Sequence, residues 1–156
     1  MSLFLTQAET VLREGFIYSI MAMGVFITYK ILDFPDLSVD GTFPLGACVS
    51  AALIVAGVNP WLACLLAFLA GALAGSVTGL LHVKLGITDL LSGILVMTAM
   101  WSVNLIITGQ SAILQFFNRP TIFTYGPAAW LPAGLYAHRH VLVAFLLALG
   151  VKLLLD

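Results

Sequence analysis

Charge is what this sequence has least of. Only 8% of its 156 residues are Asp, Glu, Lys or Arg, against about 25% in a soluble domain. A chain so poor in charge cannot cover a surface that faces water. With 62% hydrophobic residues and a mean hydropathy of +1.12, it reads as an integral membrane protein. Net charge is −1, and no basic run or stripe offers the electrostatic footprint of nucleic-acid binding. Cysteine is nearly absent too. Cys48 and Cys64 both lie in apolar runs, with no CxxC or Cys/His spacing of metal-site type. They read as small reduced packing residues, and neither a metal nor a cofactor is expected. His82, His138 and His140 show no ligand spacing either.

Other absences exclude whole classes of activity. There is no Walker A loop, so the chain does not bind ATP through that motif. No GxSxG, HExxH or kinase signature occurs, and the apolar runs carry no ionisable residue at mid-span from which to build a proton relay. An enzyme is not expected. The first dozen residues hold Glu9 and no early Lys or Arg, unlike a cleavable signal peptide. They read as a short amphipathic lead-in with Leu5, Ala8 and Leu12 on one face.

What the sequence does have is apolar runs. A spanning helix needs about 17–25 mostly apolar residues, and five segments approach that length: 16–32, 42–58, 60–83, 89–108 and 140–155. Pro60 suits the first turn of the third, and Thr88 or Asp89 can cap the fourth. Gly57-Val58-Asn59-Pro60 is a tight turn, which makes the second and third helices antiparallel neighbours. Residues 109–139 form a long connection rich in aromatics and prolines, expected to lie partly on the outer membrane surface, where Trp and Tyr favour the headgroup layer. The fold class expected is all-α, a polytopic membrane bundle of about five spans. Lys30, Lys84 and Lys152 fall on one side of such a bundle, and Arg13, Arg119 and Arg139 on the other. Arg119 sits deep in the long loop and counts less, which leans toward a cytoplasmic side holding the three lysines.

One polar stretch interrupts this pattern. Residues 33–46 read Asp-Phe-Pro-Asp-Leu-Ser-Val-Asp-Gly-Thr-Phe-Pro-Leu-Gly. Asp33, Asp36 and Asp40 are three of the chain's seven acids, and two prolines and two glycines argue against a regular helix. Membrane proteins tolerate such backbone at a surface, inside a bundle or along a watery cavity. Two readings stand side by side: a solvated cytoplasmic loop, and a broken or re-entrant element near a solute path. Phe34, Leu37 and Val39 alternate with the acids, which a plain connector would not need.

Two further patterns carry a plain and a functional reading. Gly71, Gly75 and Gly79 recur every four residues, so they share one stripe of the third helix, where small residues let helix backbones approach. Helix packing is the plain reading; a substrate groove or dimer seam is the other. The fourth helix carries Ser92, Thr98, Ser102 and Asn104, either for hydrogen bonds between helices or as the polar lining of a path.

Gly15-Phe-Ile-Tyr-Ser-Ile-Met-Ala-Met-Gly24, followed by residues 31–47, resembles the permease subunits of bacterial ABC importers of the branched-chain amino acid and ribose permease family. The Asp-Phe-Pro-Asp-Leu-Ser-Val-Asp-Gly-Thr-Phe-Pro-Leu-Gly form is similar to a branch linked to tryptophan or other aromatic amino acid uptake. Ala74-Gly75-Ser76-Val77-Thr78-Gly79-Leu80-Leu81-His82 and Leu91-Ser92-Gly93-Ile94-Leu95-Val96-Met97-Thr98-Ala99 fit it as well. The resemblance implies an importer permease in a bacterial inner membrane, working by alternating access. Its implied partners are an ATP-binding subunit, an extracytoplasmic solute-binding protein, a second permease copy and membrane lipid. Asp33, Phe34, Asp36, Asp40, Gly41 and Phe43 are then expected to form a pathway or gating element, with Thr98 and Asn104 as secondary lining. Permeases of this branch run to almost twice this length, so residues 1–156 are expected to be one permease-like domain ending before the ATPase-coupling segment. The rival readings are a shortened permease with only an assembly role and a small membrane-embedded enzyme.

Overall fold

The computed structural model describes residues 2–31, 33–111, 114, 119, 121 and 139–155. Among these the chain is helix and turn, with no strand. The helices are α1 (Ser2–Lys30), α2 (Val39–Val55), α3 (Pro60–Leu85), α4 (Asp89–Ile107) and α5 (Arg139–Leu155). Among the described residues three stretches are long and apolar enough to cross a membrane: Thr6–Lys30, Pro60–Leu85 and Asp89–Ile107. Val39–Val55 and Val141–Leu153 are apolar but shorter. The chain is a multi-pass, all-α membrane protein.

Burial runs opposite to that of a water-soluble fold. The largest fully buried side chains are Thr78, Ser38 and Ser92, and the buried apolar residues are mostly alanines: Ala63, Ala74, Ala144 and Ala148, with Leu45 and Val96. Phe68, Leu73, Val83, Trp101 and Ile106 are exposed. Lipid tails are as apolar as leucine, so large side chains gain little by turning inward, while small residues inside let backbones approach.

The chain divides into two compact units, Thr28–Thr121 and Met1–Ile27 with Ile122–Asp156. In the latter, Phe16 of α1 meets Phe145 of α5 edge to face, ring centroids 5.3 Å apart. The helix α1 starts earlier than the charges at Glu9, Arg13 and Glu14 suggest. Nothing in its first turns breaks a helix, so the amphipathic lead-in is simply its beginning.

In the other unit, α2 ends in a Schellman motif. Gly57 takes φ +83°, Val58 N–H donates to Leu53 O at 3.0 Å, and Gly57 N–H donates to Ile54 O at 3.1 Å. That geometry satisfies the last carbonyls of the helix. Asn59 then caps α3, its Oδ1 accepting from Trp61 N–H at 3.0 Å, with Pro60 following. Changing Asn59 to alanine should remove about 1 kcal/mol of stability, measured as a lower thermal midpoint of helical circular dichroism in detergent. Gly86, at φ +63°, ends α3. Thr88 holds the cap position of α4 but makes no side-chain capping bond. A second Schellman turn at Gly109 closes α4, where Gln110 N–H donates to Leu105 O at 2.7 Å. The long connection expected on the membrane surface lies almost wholly outside the described residues. Lys30, Lys84 and Lys152 each sit in the last turn of a helix, where cations complement the carbonyl end.

The polar stretch departs from expectation in its second half. Only residues 33–38 are irregular, and α2 begins at Val39 with Asp40, Gly41, Phe43 and Pro44 inside it. Pro44 removes one backbone donor and leaves the Asp40 carbonyl without its i+4 partner. Gly41 lies in the first turn of α2, and Pro44, one turn further on, costs a single backbone bond that the helix continues past, so the stretch is less broken than its composition suggests.

Candidate functional site

The irregular segment is fixed at both ends and along its length. Phe34 N–H donates to Thr28 O at 3.0 Å, tying it back to the last turn of α1. Asp33, just before it, takes a left-handed φ of 52°, a conformation that aspartate tolerates better than most side chains. The Asp36 carboxylate accepts from Ser38 N–H at 2.8 Å, an Asx turn that delivers the chain into α2. Ser38 O then receives Gly41 N–H and Thr42 N–H, each at 2.9 Å. Asp40 lies in the first turn of α2, where a negative charge favours the amide end.

Two glycines seat this segment on α4. A Cβ on Gly93 would lie 2.9 Å from Leu37 N and 3.3 Å from both Leu37 Cβ and Ser38 N. A Cβ on Gly41 would lie 2.9 Å from Met97 Cα and O and 3.0 Å from Met100 Cβ. Higher along the same seam, Asn104 Nδ2 donates to Gly41 O at 3.2 Å. Contacts therefore climb both segments together, from 37 against 93 to 41 against 97, so α2 and α4 run parallel. On the other side Phe34 meets His82 of α3 edge to face, centroids 4.9 Å apart. His82 Nδ1 lies 2.9 Å from Ile87 O. A carbonyl only accepts, so Nδ1 carries the proton. The segment is thus clasped between the end of α3 and the start of α4.

Two buried polar atoms on this seam, Ser38 Oγ and Asn104 Oδ1, find no partner among the described residues. An unmet buried acceptor or donor costs about 1–3 kcal/mol, so such atoms mark places where a further group is accommodated or the structure rearranges. Asn104 also lines a cleft of about 220 Å³ with Pro44, Cys48, Trp101, Leu105, Thr108 and Ser111.

A clasped helix break, a polar seam and an apolar exterior describe a membrane element built to hold irregular backbone. A family model described as "Branched-chain amino acid transport system / permease component" matches residues 7–156. The chain belongs to this permease family. It is 52% identical, over 107 residues, to a "Tyrosine transport system permease protein" of Clostridioides difficile (strain R20291). That alignment covers 69% of this chain and 36% of the relative. An uncharacterized protein of Rickettsia prowazekii (strain Madrid E) is 35% identical over 117 residues, 75% of this chain and 38% of the relative. The matched stretches thus span well under half of either relative. No solved structure matches. The family is one of transport permeases rather than enzymes, and the chain is a transport permease component by that membership.

Within this permease the residues expected to form a pathway separate into groups. Gly41 and Asn104 meet directly, and Asp36 is half-buried in its turn. Phe34 packs on His82, while Asp33, Asp40 and Phe43 are exposed. Thr98 is exposed and its hydroxyl bonds back to Ile94 O and Leu95 O at 3.0 and 2.9 Å. Ser92 does the same to Asp89 O at 2.8 Å. Gly71, Gly75 and Gly79 have no atom among the described residues within 4 Å of an added Cβ. The buried positions of α3 are Pro60, Ala63, Ala74 and Thr78, and Ala74 and Thr78 lie one residue round from the glycine stripe. Sequence reasoning gave no role to Gly93, Ser38 or Trp101, and it found only an absence of ligand spacing at His82. Gly93 alone left a trace: a lone glycine early in an apolar helix often marks a close approach.

Proposed function

We propose that this permease is the membrane component of an ATP-binding-cassette importer for an amino acid. It would act in a bacterial inner membrane with a second permease copy, an ATP-binding subunit and an extracytoplasmic solute-binding protein. The observation that carries the reading is the clasped break at residues 33–38, in a chain whose family is a permease family. Alternating access requires an element that holds two arrangements. A segment with Phe34 on one helix end and Leu37 on a glycine of another is suited to switch between them. The tyrosine named for the Clostridioides relative makes an aromatic amino acid the first solute to test. In this reading residues 1–156 are a single permease-like domain. Asp33, Phe34, Asp36, Asp40, Gly41 and Phe43 form the gating element, and Thr98 and Asn104 are its secondary lining. The lysine ends of α1, α3 and α5 face the cytoplasm.

The test is ATP-driven uptake of labelled tyrosine into proteoliposomes holding the chain with an ATP-binding subunit and a binding protein. Asp36→Asn keeps an acceptor for Ser38 N–H and removes only the charge, so it separates electrostatics from the turn. Asp36→Asn and Asp40→Asn should each lower uptake by about tenfold, equivalent to about 1.4 kcal/mol, with membrane insertion unchanged. Normal uptake in both variants would remove the carboxylates from the gate.

A further inference from the structure

The cleft between α2 and α4 has a chemistry of its own. Its lining is Pro44, Cys48, Trp101, Asn104, Leu105, Thr108 and Ser111. None of these residues is charged. An ionised ammonium or carboxylate placed there would lose its water without a counter-charge, which is strongly unfavourable. The cleft therefore suits the uncharged part of a solute. Its volume of about 220 Å³ falls below the range of about 300–1,000 Å³ that holds a drug-sized molecule. It corresponds to roughly seven waters, enough for one ring. Trp101 offers the ring a partner face, being 70% exposed.

Two polar side chains of this lining, Asn104 and Thr108, have acceptor capacity to spare, beside the indole N–H donor of Trp101. Asn104 has its Nδ2 committed to Gly41 O at 3.2 Å, and that carbonyl can only accept, which fixes the orientation of the amide. Oδ1 is then the free end, buried and without a donor among the described residues. The Thr108 hydroxyl donates to Leu105 O at 3.2 Å, which leaves its lone pairs as acceptors. Asn104 Oδ1 is thus a buried acceptor in want of a donor, on a side chain that lines the cleft. We propose that this cleft is a subsite for an aromatic side chain bearing one donor at its tip, a phenol or an indole, with Asn104 accepting its O–H or N–H and Trp101 packing on its ring. The proposal rests on the transport reading only for the source of the ring.

The experiment is calorimetric titration of the full chain in lipid nanodiscs with N-acetyl-tyrosine amide and N-acetyl-phenylalanine amide, which differ by one hydroxyl and carry no charge. The tyrosine amide should bind about three- to tenfold more tightly, the worth of one hydrogen bond. Asn104→Leu keeps the branched shape of the side chain without its acceptor and should bring the two affinities together. Because Asn104 also holds Gly41, a second variant keeps the test sound if that one fails to fold. Trp101→Leu alters an exposed ring and should weaken both amides while preserving their ratio. Equal binding of the two amides by the wild-type chain overturns the proposal. So does a ratio unchanged in Asn104→Leu, or an affinity unchanged in Trp101→Leu. Failure of both amides to bind also overturns it and leaves the cleft to an acyl chain. The titration needs no ATP and no partner. Tyrosine uptake that ignores both cleft variants sinks the subsite and spares the importer, whereas phenol selectivity without any uptake sinks the importer and spares the subsite.

Discussion

Replacing Gly41 with alanine is expected to lower stability by about 1–3 kcal/mol, the usual cost of forcing an extra carbon into a filled interior. The same replacement at Gly46, in the same helix, should be neutral or raise stability by up to about 1 kcal/mol, because alanine is the better helix former. The difference lies in what each new methyl meets. At Gly41 it would press within 2.9 Å of Met97 Cα and O, whereas at Gly46 nothing lies within 4 Å. Met97 offers backbone at that point, and backbone cannot swing aside as the end of a side chain can. Relief requires α2 and α4 to separate, which also stretches the 3.2 Å bond from Asn104 Nδ2 to Gly41 O. Thermal midpoints of the two variants in detergent, read by helical circular dichroism, give the comparison. Equal midpoints would mean that α2 and α4 do not meet at Gly41.

That contact explains why the polar stretch reads two ways in sequence. Glycine and proline at 41 and 44 suggest a break, since both are poor inside a helix. In the folded chain Gly41 is there because α4 comes close, and Pro44 lies early in a helix that continues past it. A composition cue says that regular structure is under pressure; it does not say whether the pressure comes from a turn or from a neighbour. The number and order of helices were legible, because apolar run length decides them in lipid. The turn at 57–60 was legible because Asn-Pro after a glycine encodes a cap and a stop. The face that α3 buries was not. Gly71, Gly75 and Gly79 form the smaller stripe, yet Ala74 and Thr78 are the buried positions. Small stripes one residue apart differ by about 100° of helix rotation, and both are rich enough in small residues to pack. The partnership of Asn104 with Gly41 spans 63 positions in the chain, and no local pattern announces a hydrogen bond of that reach. The family resemblance did carry across nearly the whole chain, and the match runs over residues 7–156, since it rests on the polar stretch together with segments of α1, α3 and α4.

The other large effect is expected at Gly93, and it bears on the clasp itself. Gly93→Ala would set a methyl 2.9 Å from Leu37 N and 3.3 Å from Ser38 N, at the point where the irregular segment lies on α4. Ser38 is 1% exposed there and Ser92, beside Gly93, is fully buried, so neither side has room to give. The segment must lift. Lifting strains the turn in which Asp36 accepts from Ser38 N–H at 2.8 Å and the edge contact between Phe34 and His82. Exchange of the Ser38 amide hydrogen should therefore accelerate in Gly93→Ala, because the opened segment exposes a proton that the clasp now shelters. If the segment gates transport, tyrosine uptake should fall by about tenfold or more, equivalent to at least about 1.4 kcal/mol. Gly24→Ala in α1, where nothing crowds the new methyl, serves as the control and should change neither quantity. The two readouts separate packing from function. Faster exchange with normal uptake would keep the contact and discard the gate. Unchanged exchange would show that the segment does not rest on Gly93 at all, and the seam drawn from residue 37 to residue 104 would lose its lower end.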